Sequence, residues 1–111
     1  MSDEFIAFLD NQKDAGNLAV SPVSFWEIAF LVKKGRIELE NVDAWRIRVM
    51  ENSGLREFNP TAHEMIESVH LPDYHKDPFD RLLIALSLKN NAVLVTKDEN
   101  ITKYTLETLW M

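Results

Sequence analysis

Three acidic side chains in this sequence stand where a carboxylate could bind a metal ion. Asp80 lies early in the stretch HKDPFDRLLIALSL, residues 75–88, and Asp98 follows the apolar run AVLVT by two residues. Glu27 lies among large apolar neighbours in SFWEIAFLV, where a carboxylate is costly to desolvate unless it has a partner or a metal. Carboxylate oxygens suit Mg²⁺ or Mn²⁺, and a cation held in this way could receive a phosphate group.

Each of these positions also has a structural explanation. Asp80 could complement the helix dipole in a first turn, and Asp98 could be an ordinary turn residue in TKDEN. Asp77 directly precedes Pro78, which is the arrangement expected of a helix N-cap, so we predict a cap there rather than a ligand. Thr96 could orient the Asp98 carboxylate or simply end a strand. The choice therefore depends on the elements that position these side chains.

Other catalytic chemistries find little support in the sequence. The chain has no cysteine, which excludes disulfides, thiolate catalysis and zinc–thiolate sites together. Ser21 and Ser24 have no obvious histidine and acid partners, so we do not expect a serine nucleophile. The three histidines, His63, His70 and His75, are interpreted as lying away from the acidic motifs. We therefore expect none of them to be a metal ligand or a catalytic base.

The composition is that of one globular domain over residues 1–111, with 46% hydrophobic and 27% charged residues. A net charge of -6 argues against a broad basic surface for nucleic acid, but it does not exclude local phosphate binding at a carboxylate-held cation. No apolar run is long enough to span a bilayer, and the first residues lack the pattern of a signal peptide. We therefore expect a cytoplasmic protein that makes no membrane contact.

Short apolar strands alternate with amphipathic helices along the chain, which predicts an α/β fold with a mainly parallel sheet. Strands are predicted at NLAV, LREF, AVLVT and TLETLW, with AVLVT buried on both faces. Because ligands collect beyond the carboxyl ends of parallel strands, Glu27 and Asp98 are expected at the same edge. Helices are predicted from Phe5 to near Gly16, over SPVSFWEIAFLVKKG, from Val42 to Asn52, over TAHEMIESVHL and from Pro78 to Lys89, with a helical turn near Asn100. Ser21 before Pro22 is predicted to cap the second of these helices, and Thr61 and Glu64 have the spacing of a capping box at the start of the fourth.

Three segments in the same order and at similar spacing resemble the PIN-domain ribonucleases, and closely the VapC toxins of bacterial toxin–antitoxin pairs. They are VSPVSFWEIAFLVKKGRIEL, HKDPFDRLLIALSL and LVTKDENITKY. The resemblance covers nearly the whole chain and implies a three-layer α/β/α fold, bound Mg²⁺ or Mn²⁺, and RNA cleavage by an activated water. It also implies that Glu27, Asp80 and Asp98 are the catalytic and metal-binding residues. Arg81 matches the motif as well, without an assigned role.

The start of the chain departs from this family. VapC toxins open with an apolar strand that runs into DT or DTH, whose aspartate is a metal ligand, and no such strand or aspartate precedes the first helix here. We therefore expect an N-terminally truncated fold with weakened or absent cleavage. We also expect either new strand pairing or self-association to a homodimer or higher oligomer through an open sheet edge.

The partners implied by the resemblance are an RNA substrate and a cognate VapB-like antitoxin, whose arginine-containing segment would complement an acidic groove near Trp26. The like charges of the three carboxylates predict a raised pKa for at least one of them without metal. Two alternatives stay open. One is a non-catalytic PIN-like interaction module that binds an antitoxin-like partner. The other is a receiver-type signalling domain, which is disfavoured because no acidic pair follows a first strand.

Overall fold

The structure is a computed structural model that describes residues 2–96 and 98–110. Its helices are α1 (Asp3–Asp14), α2 (Pro22–Lys33), α3 (Val42–Ser53), α4 (Ala62–His70) and α5 (Pro78–Asn90), with a 3₁₀ turn at Ile101–Lys103. Its strands are β1 (Ala19–Val20), β2 (Arg56–Glu57), β3 (Leu94–Val95) and β4 (Thr108–Leu109). Every helix and strand predicted from the sequence is present. None of the described helices combines the length and the apolar character that crossing a membrane requires.

The helix starts confirm the capping predictions. The Ser21 hydroxyl accepts a hydrogen bond from the Val23 N–H at the start of α2, and the Asp77 carboxylate accepts one from the Phe79 N–H at the start of α5. Both helices have proline in the first turn, where its missing N–H costs nothing. In each cap the donor and the acceptor are two positions apart in the sequence, so the cap depends on local sequence alone.

All strand pairs among the described residues are parallel, as predicted, and they form two separate two-stranded sheets. β1 pairs with β2 and β3 pairs with β4. The prediction that AVLVT is buried on both faces is wrong, because the strand contains only Leu94 and Val95, and Val93 and Val95 are exposed. Within the described part of the chain, β4 is the one strand paired with β3. The three-layer arrangement and the missing first strand stay predictions.

The chain divides into two compact units. The N-terminal unit, Ile6–Asn59, contains α2, α3, β1 and β2, and in it the ring of Phe25 meets Trp45 edge-on with a centroid distance of 5.8 Å. The C-terminal unit consists of the described residues from Pro60 onward together with those up to Phe5. It contains α4, α5, β3, β4 and the 3₁₀ turn.

The core of the C-terminal unit lies between α5 and the segment after Asp98. Ile84, Ile101 and Tyr104 are buried together there. Three further apolar side chains pack against them: Leu71, Leu94 and Leu106. Burying a side chain the size of isoleucine contributes roughly 1.5–3 kcal/mol. This packing fixes the N-terminal half of α5, which carries Asp80, against the turn that follows Asp98.

Candidate metal centre

Asp80, Asp98 and His75 converge in the C-terminal unit. The Nε2 atom of His75 lies 2.8 Å from Oδ2 of Asp98 and 3.1 Å from Oδ2 of Asp80. One ligand-type atom from each of the three residues lies within 4.8 Å of the other two. The two aspartates are 18 positions apart in the sequence, so it is tertiary packing that brings them to a common point.

Asp80 reaches this point from the first turn of α5, where its side chain is 27% exposed. Burial raises the pKa of Asp80 above its ordinary value, and the negative charges of Asp77 and Asp98 raise it further, while His75 opposes the shift. A raised pKa for one carboxylate was predicted from like charges, and burial is the larger cause. The ionised form of Asp80 is therefore the one that a nearby cation would stabilise.

Asp98 is held by its own turn. Its Oδ1 accepts a hydrogen bond from the Asn100 N–H at 2.9 Å, which leaves Oδ2 for His75. The Asn100 N–H is the main reason why the pKa of Asp98 is lowered, with the His75 hydrogen bond second. Thr96 accepts a hydrogen bond from the Asp98 backbone N–H, so it orients the backbone of that residue. Asp98 is thus ionised and ready to accept a second interaction.

His75 is fixed by hydrogen bonds of both its ring and its backbone. Its Nδ1 accepts from the Asp77 N–H at 3.0 Å, and its own backbone N–H donates to the Tyr104 hydroxyl at 3.1 Å. Its side chain is 13% exposed. Because a backbone N–H donates to Nδ1, the neutral ring carries its hydrogen on Nε2 and donates it to Asp98, with Asp80 close by.

Arg81 supports the segment that carries His75. Its guanidinium, 11% exposed, donates to the His75 carbonyl at 2.9 Å and to the Leu71 carbonyl at 2.8 Å. Three further carbonyls accept from the same side chain: Ser68, Val69 and Pro72. Carbonyls at a helix C-terminus have no partner within the helix, so Arg81 satisfies the end of α4 and the following loop together. This gives the motif arginine a structural role.

The donor set fits a hard divalent cation. Asp80 and Asp98 each direct an oxygen to the same small volume, and carboxylate oxygens are the ligands that Mg²⁺ and Mn²⁺ prefer. The two aspartates lie in unlike surroundings: burial and neighbouring negative charge raise the pKa of Asp80, whereas the hydrogen bonds from Asn100 and His75 lower the pKa of Asp98. The arrangement can therefore hold a cation and place it against a phosphate group.

The structure brings two of the three predicted site residues together. Glu27 lies in the second turn of α2, partly buried, in the N-terminal unit, and its place in the metal centre stays a prediction. Asp77 is a cap, as predicted. The expectation that His75 lies away from the acidic motifs is wrong, because it contacts both aspartates. The available signal was its position two residues before the N-cap of the helix that carries Asp80.

A comparison with protein-family models matches residues 1–106 to the PIN domain. A search of curated proteins found no match, and neither did a search of solved structures. The matched residues include all three segments on which the resemblance was based.

Proposed function

The chain belongs to the PIN-domain family, and from that premise we propose that it is a metal-dependent endoribonuclease of the VapC toxin type. The observation that carries this proposal is the approach of Asp80 Oδ2 and Asp98 Oδ2 to a single point. PIN domains are generally nucleases, and a cation held by carboxylates is one established means of catalysing phosphodiester hydrolysis. The reaction proposed is hydrolysis of RNA phosphodiester bonds.

Asp80 and Asp98 would hold Mg²⁺ or Mn²⁺. When bound, the cation supplies charge neutralisation at the phosphate oxygens and a more acidic water. The two carboxylates alone would repel a phosphate group, so their negative charge is useful only when a cation compensates it. Asp98, with its lowered pKa, keeps its charge over the wider pH range. Asp80, with its raised pKa, is the carboxylate whose ionisation gains most from the cation.

Glu27 is proposed as a third metal ligand and catalytic carboxylate on the strength of its motif, WEIA. It lies half-buried on α2. The substitution Glu27→Gln keeps the shape of the side chain and removes its charge. If Glu27 is a metal ligand, the variant should lose RNA cleavage. If Glu27 is only a structural carboxylate, the variant should lose stability first.

A cognate VapB-like antitoxin and self-association to a dimer or higher oligomer are part of the same proposal. The net charge of -6 favours a partner segment that carries arginine, because complementary charge speeds encounter and arginine pairs well with carboxylates. The exposed ring of Trp26 is proposed as part of that interface. Light scattering of the purified chain and co-purification from the native host test these two points separately.

The nuclease proposal is tested by cleavage of a generic single-stranded RNA with Mn²⁺, with excess EDTA as the metal-free control. We expect cleavage by the parent chain and a loss of at least about 100-fold in Asp80→Asn and Asp98→Asn, which exceeds the ~10–100-fold typical of residues that only support a ligand. Asp43→Asn is the matched control, because Asp43 is an exposed aspartate on α3 paired with Arg46. It should cleave like the parent.

Two outcomes would contradict the nuclease proposal. One is cleavage that survives in both site variants, which would point to a contaminating nuclease or another centre. The other is a parent chain that binds a basic partner protein but shows no Mn²⁺-dependent cleavage at high enzyme concentration. That result would favour the alternative, a non-catalytic PIN-like interaction module.

A further inference from the structure

His75 occupies the point on which the two aspartates converge. Its Nε2 lies within hydrogen-bond distance of one oxygen of each, 2.8 Å from Asp98 and 3.1 Å from Asp80. A cation bound by both of those oxygens would need the same space, since Mg²⁺–oxygen distances are about 2.0–2.1 Å. The imidazole N–H and a cation therefore compete for one position.

The tautomer of His75 prevents the ring from acting as a ligand in this conformation. The Asp77 N–H donates to Nδ1 at 3.0 Å, so the hydrogen of the neutral ring is on Nε2. A nitrogen that carries a hydrogen has no lone pair for a metal. Moving that hydrogen to Nδ1 would place two N–H groups against each other at the Asp77 contact. Coordination through Nε2 thus requires this hydrogen bond to break.

The backbone of His75 is held in place, so only its side chain is free to leave. Its N–H donates to Tyr104, which is buried in the core, and its carbonyl accepts from Arg81. A rotation of the ring about its side-chain torsions would break the contacts of the ring with Asp77, Asp80 and Asp98. It would leave the two backbone contacts intact.

We propose that His75 is a gate residue that holds the metal centre closed, with its Nε2–H in the position of the cation, and that metal binding requires the ring to swing out. The inference rests on the proposed metal centre and adds a regulatory element to it. A displaced ring has to give up its hydrogen bond to the Asp98 carboxylate, which is stronger than a neutral one, and its contact with Asp80. His75 therefore weakens metal binding, whereas a metal-ligating histidine would strengthen it.

The sign of the effect on metal affinity tests the gate. We measure the Kd for Mn²⁺ of the parent, His75→Ala and His75→Leu by the electron paramagnetic resonance signal of free Mn²⁺, at one fixed pH. Both variants should bind Mn²⁺ about tenfold more tightly, since loss of one charge-assisted hydrogen bond corresponds to roughly one tenfold step in Kd. His63→Ala is the matched control, because His63 is an exposed histidine on α4. Its Kd should equal that of the parent.

The possible failures are distinguishable. Weaker Mn²⁺ binding in His75→Ala and His75→Leu would make His75 a ligand and overturn the gate, while the metal centre would stand. Unchanged binding in both variants would also overturn the gate alone. If neither the parent nor any variant binds Mn²⁺, and Asp80→Asn behaves identically, the proposed metal centre fails and the gate fails with it.

A second measurement uses the parent chain and does not depend on how well a variant folds. Nitrogen-15 spectra of histidine-labelled protein report which ring nitrogen carries the hydrogen. Without metal we expect His75 as the Nε2–H form with Nδ1 as an acceptor, and with saturating Mg²⁺ we expect averaged signals typical of a solvent-exposed ring. Persistence of the first pattern at saturation, or a change to an ordered Nδ1–H form, would contradict the gate.

Discussion

Glu64 and Asp80 are two carboxylates of the C-terminal unit with opposite surroundings. The Glu64 side chain, 2% exposed, accepts hydrogen bonds from the Thr61 hydroxyl and N–H and pairs with Lys89 at 3.0 Å. The Thr61 hydrogen bond is the main cause that lowers the pKa of Glu64 to about 2, against the opposing effect of burial. Asp80 has burial and like charges instead, and its pKa is raised.

The difference between these two carboxylates separates a structural acid from a functional one. Glu64 has donors of its own, so its charge stabilises the fold and has no need of a ligand. Asp80 faces two other aspartates, Asp77 and Asp98, and the nearby His75 does not offset their charges and its burial, so its charge is costly until a cation arrives. Arg81, one position after Asp80, satisfies the surrounding backbone without pairing with Asp80.

The largest loss of stability is expected from Arg81→Ala, which removes the hydrogen bonds that hold the backbone next to Asp80 and His75. Five backbone carbonyls at the end of α4 and in the loop to His75 lose a charged donor, and we expect a loss of about 3 kcal/mol in the free energy of unfolding. Urea unfolding measures it.

Arg46→Ala is the control for Arg81→Ala. Arg46 is an exposed arginine that pairs with Asp43 on α3, and such pairs contribute about 0.5 kcal/mol or less. Equal urea midpoints for the two variants would contradict the structural role of Arg81.

A smaller fall in stability is expected from Glu64→Gln, which preserves the shape of the side chain and removes its charge. The Thr61 and Lys89 donors then face a neutral amide instead of a carboxylate, and charge-assisted hydrogen bonds are the stronger kind. Thermal unfolding at neutral pH should show a lower Tm than the parent. Glu67→Gln, at an exposed position on the same helix, should leave the Tm unchanged, and similar values for the two variants would refute the assignment of Glu64.

The pH dependence of stability should separate the parent from Glu64→Gln. Because the pKa of Glu64 falls from 4.5 to about 2 on folding, its contribution is complete above pH 4.5 and is lost as the pH falls toward 2. The difference in free energy of unfolding between the two proteins should therefore be constant from pH 7 to pH 5 and should close between pH 4.5 and pH 2. A difference that stays constant down to pH 2.5 would show that Glu64 is not the titrating group.

The smallest effect is expected from Asp80→Asn, and its sign is opposite. A raised pKa means that the ionised form is disfavoured in the folded state at neutral pH, so the neutral amide should raise the Tm without metal by roughly 2–4 °C, as about 0.5 kcal/mol does in a domain of this length. Millimolar Mn²⁺ should raise the Tm of the parent but not that of the variant. Equal Mn²⁺ shifts in both would remove Asp80 from the metal centre.

The local features of the fold were predictable because their partners are near in sequence. Ser21 before Pro22, Thr61 with Glu64, and Asp77 before Pro78 all predicted helix starts that the structure confirms. The burial of AVLVT was mispredicted, because an apolar run does not reveal how many strands lie beside it. Val93 and Val95 are exposed in a strand with a single described neighbour.

The sequence by itself determined the acidic motifs, whose segments resemble the PIN family, and it also predicted the helix caps and the parallel pairing. Only the tertiary structure decided that His75 lies between Asp80 and Asp98, and that Arg81 serves the end of α4. The first depends on a contact across 23 positions and the second on contacts across 12 and 13 positions. Neither separation in sequence matches the repeat of a helix or a strand, so no periodic pattern could predict these contacts. Such contacts form only where the core around Ile84 and Tyr104 packs the segments together, and for that reason residue type and spacing could not reveal them.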